Sequence, residues 1–189
     1  SARCEALKAA MSYDLTQPAL RDAIAAATSD GAEEVASLLT VKKGWEKAVG
    51  VALGQLASAL VGKDGKEPEQ AVSALFNPHH DAEAKLDVQA ELYAEPGVYR
   101  FTDLVEAPES LQQLLLISLG NLAFCDTDAQ ARRLIIRYPQ ARLVSQEATA
   151  RTSSSVFYSA DGAGAVELYS QLAAVTKELC EAQIAYRTA

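Results

Sequence analysis

Cysteine is scarce in this chain. The 189 residues hold three, Cys4, Cys125 and Cys180, odd in number and far apart. This pattern excludes a disulfide framework and the close spacing of a zinc site. It reads as unpaired thiols in a reduced compartment, cytoplasmic or nuclear. Histidine is scarcer still: His79 and His80 stand side by side between Pro78 and Asp81. That run reads as a solvated loop, not a metal site. With no other histidine to act as a base, the serine run Ser153 to Ser155 has no partner for nucleophilic chemistry. Glycine and proline are few, and about half the residues are apolar, so the chain folds and is not a low-complexity segment. No apolar run approaches the roughly 20 residues of a membrane helix. Ser1 to Ala10 lacks the basic flank and long apolar core of a signal peptide. Positive charge is in deficit, with a net charge of -8. That balance disfavours nucleic acid and anionic membrane over the whole surface and leaves room only for a local basic patch.

Phosphate-binding loops are also missing. Gly50 to Gly54 is followed by no Gly-Lys-Ser/Thr, so it is not a Walker loop. Gly162-Ala163-Gly164 lacks the full Gly-x-Gly-x-x-Gly pattern and reads as a turn before a helix. Glu33 with Glu34, and Asp126 with Asp128, read as charged helix surface and an N-cap in preference to a catalytic carboxylate pair. The sequence therefore predicts no catalytic residue, no metal and no cofactor.

What is present is centred on Gly31 to Gly62. Val35, Leu38 and Leu39 share helical spacing, and Lys42-Lys43-Gly44 breaks it. Trp45, Val49 and Ala52 resume it until Gly54 closes the second short helix. Leu56 to Val61 fits a buried strand, with a helical extension through Ala59 and Leu60 as the rival. Upstream, Ser1 to Met11 is helix-prone and Pro18 suits the first turn of another helix, ending near Gly31. Downstream, Pro68 opens a predicted helix through Phe76. Asp81 to Tyr93 shows both periods, and Val98 to Phe101 reads as a strand. Pro108 starts a helix carrying Leu111, Leu114, Leu115 and Ser118 up to Gly120. Leu122 to Cys125, a helix from Asp128 to Tyr138, and Ala141 to Ser145 form a strand–helix–strand unit suited to a parallel pair. Val156 to Tyr158 is β-prone. A long helix follows from about Ala163 to Arg187, with Val166, Tyr169, Leu172, Leu179 and Ile184 at near-heptad spacing.

The densest basic group is Arg132, Arg133 and Arg137, with Arg142 and Arg151 nearby. These three are the candidate contacts to DNA phosphates; a salt-bridged face is the other reading. Lys42, Lys43 and Lys47 form a second cluster that faces solvent while Trp45 packs inward.

Two blocks of this pattern resemble the hinge domain of SMC proteins, the chromosome-organising ATPases with long coiled-coil arms. The first block is Gly31, Val35 to Val41, Gly44-Trp45-Glu46, Ala48-Val49, Leu53-Gly54 and Leu56 to Val61. The second is Phe101 to Val105, Leu111 to Leu119, Gly120 to Asp126, Ala129 to Tyr138 and Arg142-Leu143-Val144-Ser145. The family's twin-glycine motifs have no counterpart here, and its Gly-rich loop after Ser145 is replaced by Glu147 to Ser153. The resemblance is thus to a divergent member. It implies an α+β fold of mixed small sheets packed by helices. Residues 1–30 would be an N-terminal helical segment, 31–162 a hinge-like core with two lobes, and 163–189 a C-terminal helix, the helical ends being coiled-coil stubs. It implies a non-enzymatic dimerisation module whose partner is another hinge, in a homodimer or heterodimer, with weak DNA binding and no membrane. It places the protein on the nucleoid in the cytoplasm or in the nucleus. The matching interface region holds Val156, Phe157 and Tyr158, with an internal strand burying Phe157 as the rival reading. A small α/β enzyme and a helical interaction adaptor are the other function classes.

Overall fold

The structure, a computed structural model, describes residues 33–61, 74–75, 90–158 and 164–188. The expected N-terminal helices and the His79-His80 loop lie outside the described residues. The fold is α+β, with small mixed sheets flanked by helices.

The core is a five-stranded sheet in the order β10-β9-β8-β7-β5. Its strands are β5 (Val98–Tyr99), β7 (Leu122–Cys125), β8 (Arg142–Ser145), β9 (Thr149–Arg151) and β10 (Val156–Tyr158). β7 and β8 run parallel, with Leu122 opposite Arg142 and Cys125 opposite Ser145. The other pairings are antiparallel. Both central strands are buried on both faces, which explains why Leu-Ala-Phe-Cys reads as an unbroken apolar run. Their side chains alternate between two cores. Leu122, Phe124 and Val144 meet Trp45, Val49, Phe101, Leu111 and Leu115 on one face. Ala123, Cys125 and Leu143 meet Ala131, Leu134 and Tyr138 on the other.

The first face is covered by helix α1 (Glu46–Leu53), α4 (Glu109–Leu119) and the start of α6 (Ala165–Thr188). Trp45 anchors it, edge-on to Tyr99 at 5.2 Å and to Phe124 at 6.0 Å between ring centroids. Such pairs add about 0.5–1.5 kcal/mol each to the burial itself. Lys42, Lys43 and Lys47 are exposed around Trp45, as their snorkelling pattern predicts. The second face is covered by α5 (Asp128–Arg137), which crosses from β7 to β8, and by the short α2 (Ala90–Tyr93). α5 starts at Thr127, whose side chain accepts from the Gln130 amide at 3.2 Å. The α6 helix is joined to β1 (Glu33–Glu34) by the Tyr169 hydroxyl, which donates to Glu34 Oε2 at 2.9 Å.

Several local expectations change. Val35 to Leu38 is a 3-10 turn, not an α-helix, because the chain on either side is extended. Thr40–Val41 is a strand, β2, paired with β6 (Val105–Glu106). Leu56 to Val61 divides between a 3-10 turn over Gly54–Ser58 and the strand β3 (Leu60–Val61). Within the expected helix from Pro68 to Phe76, the described pair Ala74–Leu75 is a strand, β4, running parallel to β3. A partner strand overrides helical propensity there. The strand predicted over Val98 to Phe101 stops at Tyr99, and Phe101–Leu104 is a helical turn, α3.

The Leu-Gly steps close α1 and α4 in the same way. Gly54 has φ 54 and ψ -125, and Gly120 has φ 60 and ψ -131, a region that only glycine enters freely. Nothing lies within 4 Å of where a Cβ would stand at Gly120, so a substitution there tests the backbone alone. Gly120→Ala is expected to lower unfolding free energy by about 1–3 kcal/mol, read from the midpoint of a urea titration with unchanged slope. A stability equal to wild type would refute the backbone requirement.

Candidate functional site

The sheet ends in an open edge. β10 pairs with β9 on one side and, among the described residues, with nothing on the other. The hairpin between them is closed by the Thr152 amide donating to the Ser155 carbonyl at 2.9 Å. The Thr152 hydroxyl oxygen also accepts from the amides of Ser154 and Ser155. Counting from that turn through the alternation of an antiparallel ladder, Phe157 exchanges backbone bonds with Ala150. The N–H and C=O groups of Val156 and Tyr158 therefore point outward along the free edge. The residues Val156, Phe157 and Tyr158 are 43%, 60% and 62% exposed. Phe157 is therefore not a core residue of this chain, and the rival internal-strand reading is set aside.

β9 was not anticipated from the sequence. Thr149, Ala150 and Arg151 are all buried, and the strand is entered through Ala148 at φ 60. A left-handed alanine is strained where glycine would be relaxed. That position lies in the stretch standing where the hinge pattern expects its Gly-rich loop.

The α5 helix lies over the same end of the sheet. Arg132, Arg133 and Arg137 are exposed on its outer surface, together with Ile136. Two of the three cations are occupied. Arg132 Nε donates to Asp128 Oδ2 at 3.0 Å, and Arg137 pairs with Glu95. Arg133 makes no ion pair among the described residues. The remaining neighbours in sequence do not join this group. Arg142 Nη2 donates to the Val51 carbonyl at 3.3 Å, on the α1 side of the sheet. Arg151 is buried beneath α5 in a two-point contact with Asp128, through Nε to Oδ1 and through Nη2 to Oδ2 at 2.8 Å. No sequence signal marks that pair, since 23 residues separate its members.

These contacts set the electrostatics. The Asp128 carboxyl is held below the ordinary carboxylate range, first by the hydrogen bond from Arg151, with burial opposing and Arg132 assisting. The Arg151 guanidinium is held above its ordinary value, first by Asp128. Burial pushes the Cys125 thiol up to about 12, so it is protonated at neutral pH and is no thiolate nucleophile.

Two cavities among the described residues lie elsewhere and are not lined by β10. One of about 830 Å³ runs between α6 and the Val41 segment, lined by Leu39, Val41, Tyr169, Leu172, Ala173 and Cys180. The other, about 190 Å³, is lined by Tyr93, Arg100, Phe101, Leu116 and Leu122. Neither gathers a nucleophile, a base and an orienting group. Among the described residues no three His, Cys, Asp or Glu side chains are grouped to hold a metal ion. No described helix is long and apolar enough to cross a membrane.

Residues 28–135 match the family described as the SMC proteins Flexible Hinge Domain. No curated protein sequence matches the chain. Among solved structures, an asymmetric dimer of the Geobacillus stearothermophilus SMC hinge domain is similar with a TM-score of 0.65 at 18% identity. That match covers 95% of this chain and 83% of the other. The Pyrococcus furiosus SMC hinge domain is similar with a TM-score of 0.56 at 20% identity, covering 84% of this chain and 92% of the other. The same hinge with an extended coiled coil gives 0.52 at 18% identity, covering 98% and 80%. At these identities the likeness is one of fold.

The Asp128 contact has a pH signature. A carboxyl whose folded pKa is depressed contributes stability in full above its unfolded value, about 3.9, and loses it as pH falls through the folded value. Asp128→Asn is expected to cost about 1–3 kcal/mol at neutral pH by leaving Arg151 buried without its charge partner. Thermal unfolding across pH should show a constant gap between variant and wild type from about pH 5 to 7 and a narrowing gap below about pH 4. A gap independent of pH down to about 2 would refute the assignment.

Proposed function

The chain belongs to the SMC hinge domain family, and on that premise we propose that it is the dimerisation hinge of a chromosome-organising coiled-coil ATPase, where it holds two arms together. Its partner is another hinge domain, in a homodimer or a heterodimer. Any ATP hydrolysis belongs to head domains that this chain does not include. Such a protein works on the nucleoid in the cytoplasm or in a nucleus.

The observation that carries this reading is the open edge of β10. An unpaired strand edge offers backbone donors and acceptors to a second chain, and its exposed Val156, Phe157 and Tyr158 add apolar area beside them. The dimer named for the Geobacillus stearothermophilus hinge supports the same role. The 24-residue α6, much the longest described element, is the part of this chain suited to continue into an arm.

DNA contact is a secondary part of the proposal. Arg132, Arg133 and Arg137 are the residues proposed to meet phosphates, and two of them are already shared with carboxylates. Binding is weak and salt-sensitive, because few phosphates are met.

Two experiments test these roles. Proline at position 156 removes an outward N–H without breaking a β9 bond, so the fold tolerates it. Val156→Pro is expected to turn the dimer into a folded monomer, read by solution mass across a concentration series with near-native circular dichroism. A variant that stays dimeric places the interface elsewhere. For DNA, Arg133→Glu is expected to weaken duplex binding at low salt and to reduce the salt slope by about one. Affinity unchanged at low salt would remove Arg133 from the contact.

A further inference from the structure

The open edge poses a mechanical question. β10 is three residues long with every side chain exposed, and its described sheet partner is β9 alone. The hydrogen bonds of its turn, Thr152 to Ser155, run within the turn itself. A three-residue edge strand paired on one side only is weakly held unless something else fixes it. An interface built on it requires its side chains to stand in one place before the partner arrives, since ordering them at that moment weakens association.

The described contacts offer one device that does this. Arg151 is the buried basic residue of the described core. In the ladder it stands between Leu143 of β8 and Val156 of β10, on the face covered by α5. Its guanidinium holds both oxygens of Asp128 at the start of α5, and the two side chains are 10% and 15% exposed. Two-point contact fixes the plane of the guanidinium as well as its position. Arg132 holds the same carboxylate from one turn further along the helix. On the other side, Arg151 stands directly opposite Val156 in the β9–β10 ladder. A continuous path therefore runs from α5 through Asp128 and Arg151 to Val156 at the edge.

We propose that Asp128 and Arg151 are positioning residues of the interface, clamping the β9–β10 hairpin to α5 so that Val156 and Tyr158 present a fixed face to a second hinge domain. This rests on the reading of β10 as the dimer edge and goes beyond it by naming what holds that edge ready. The plain rival is an ion pair that only stabilises the fold. Physical chemistry separates the two. A buried ion pair can be replaced by neutral residues of similar size with little loss of stability, because desolvation offsets its attraction. A clamp cannot, because what it supplies is the placement of the hairpin.

The test uses the whole chain. Solution mass across a concentration series gives the dimer dissociation constant, and thermal unfolding with circular dichroism reports the fold. The neutral double variant Asp128→Asn with Arg151→Met is expected to keep the wild-type fold while raising the dissociation constant about tenfold or more. Arg151→Lys keeps the charge and loses the two-point contact, so it should show the same effect in smaller measure. A folded double variant that dimerises like wild type overturns the proposal, and the pair is then structural only. If the double variant does not fold, Arg151→Lys decides: folded with a raised dissociation constant supports the clamp, and folded with wild-type dimerisation overturns it. Loss of fold in both also overturns it, because the pair then belongs to the core. Val156→Pro separates this claim from the one beneath it. If that variant breaks the dimer and the double variant does not, only the clamp falls. If Val156→Pro leaves the dimer intact, the edge reading falls and the clamp falls with it.

Discussion

The parallel pairing of Leu122–Cys125 with Arg142–Ser145 is the constraint on which the rest of the structure depends. A parallel pair needs a crossover, and the crossover here is the helix Asp128–Arg137. Two strands buried on both faces need cover on both faces. One face takes Trp45, Phe101 and the leucines of Glu109–Leu119. The other takes the crossover helix itself. The covering helices lie above and below the sheet, so the protection they give does not extend to its edge. At the Val156–Tyr158 side the edge is left open among the described residues.

Charge follows the same geometry. The crossover helix brings Asp128 to the end of the sheet, where Arg151 arrives from the strand beside the edge. The cation is buried because its strand is covered, and it is tolerated because the carboxylate meets it at two points. The outer face of the same helix carries the exposed arginines. One short helix thus faces inward with a fixed ion pair and outward with a basic surface, on a chain whose net charge is -8. The carboxylates that pair with Arg132 and Arg137 reduce what that surface can offer a phosphate.

Much of the fold was legible in the residues. Helices with a glycine stop and an apolar stripe were found close to their observed bounds, as at Glu46–Leu53 and Glu109–Leu119. So were the two central strands, whose apolar runs are short and lie between turn residues. The two-residue strands were not legible. Thr40–Val41 and Ala74–Leu75 are strands only because Val105–Glu106 and Leu60–Val61 lie beside them. Thr149–Arg151 was missed because a buried arginine reads as surface until its partner is known.

By itself the sequence determined the order of the main helices and strands and the absence of recognisable catalytic and phosphate-binding motifs, and its resemblance to the SMC hinge pattern implied the α+β fold and the family. The element order follows from spacing and composition, which act over a few residues at a time. Only the tertiary structure decided which strand is last in the sheet, which way its backbone groups point, and which arginines are spent on carboxylates. Those depend on pairings between residues far apart in the chain, such as Asp128 with Arg151 and Arg137 with Glu95. A contact of that kind leaves no local periodicity, so it becomes visible only when packing has brought its two ends together.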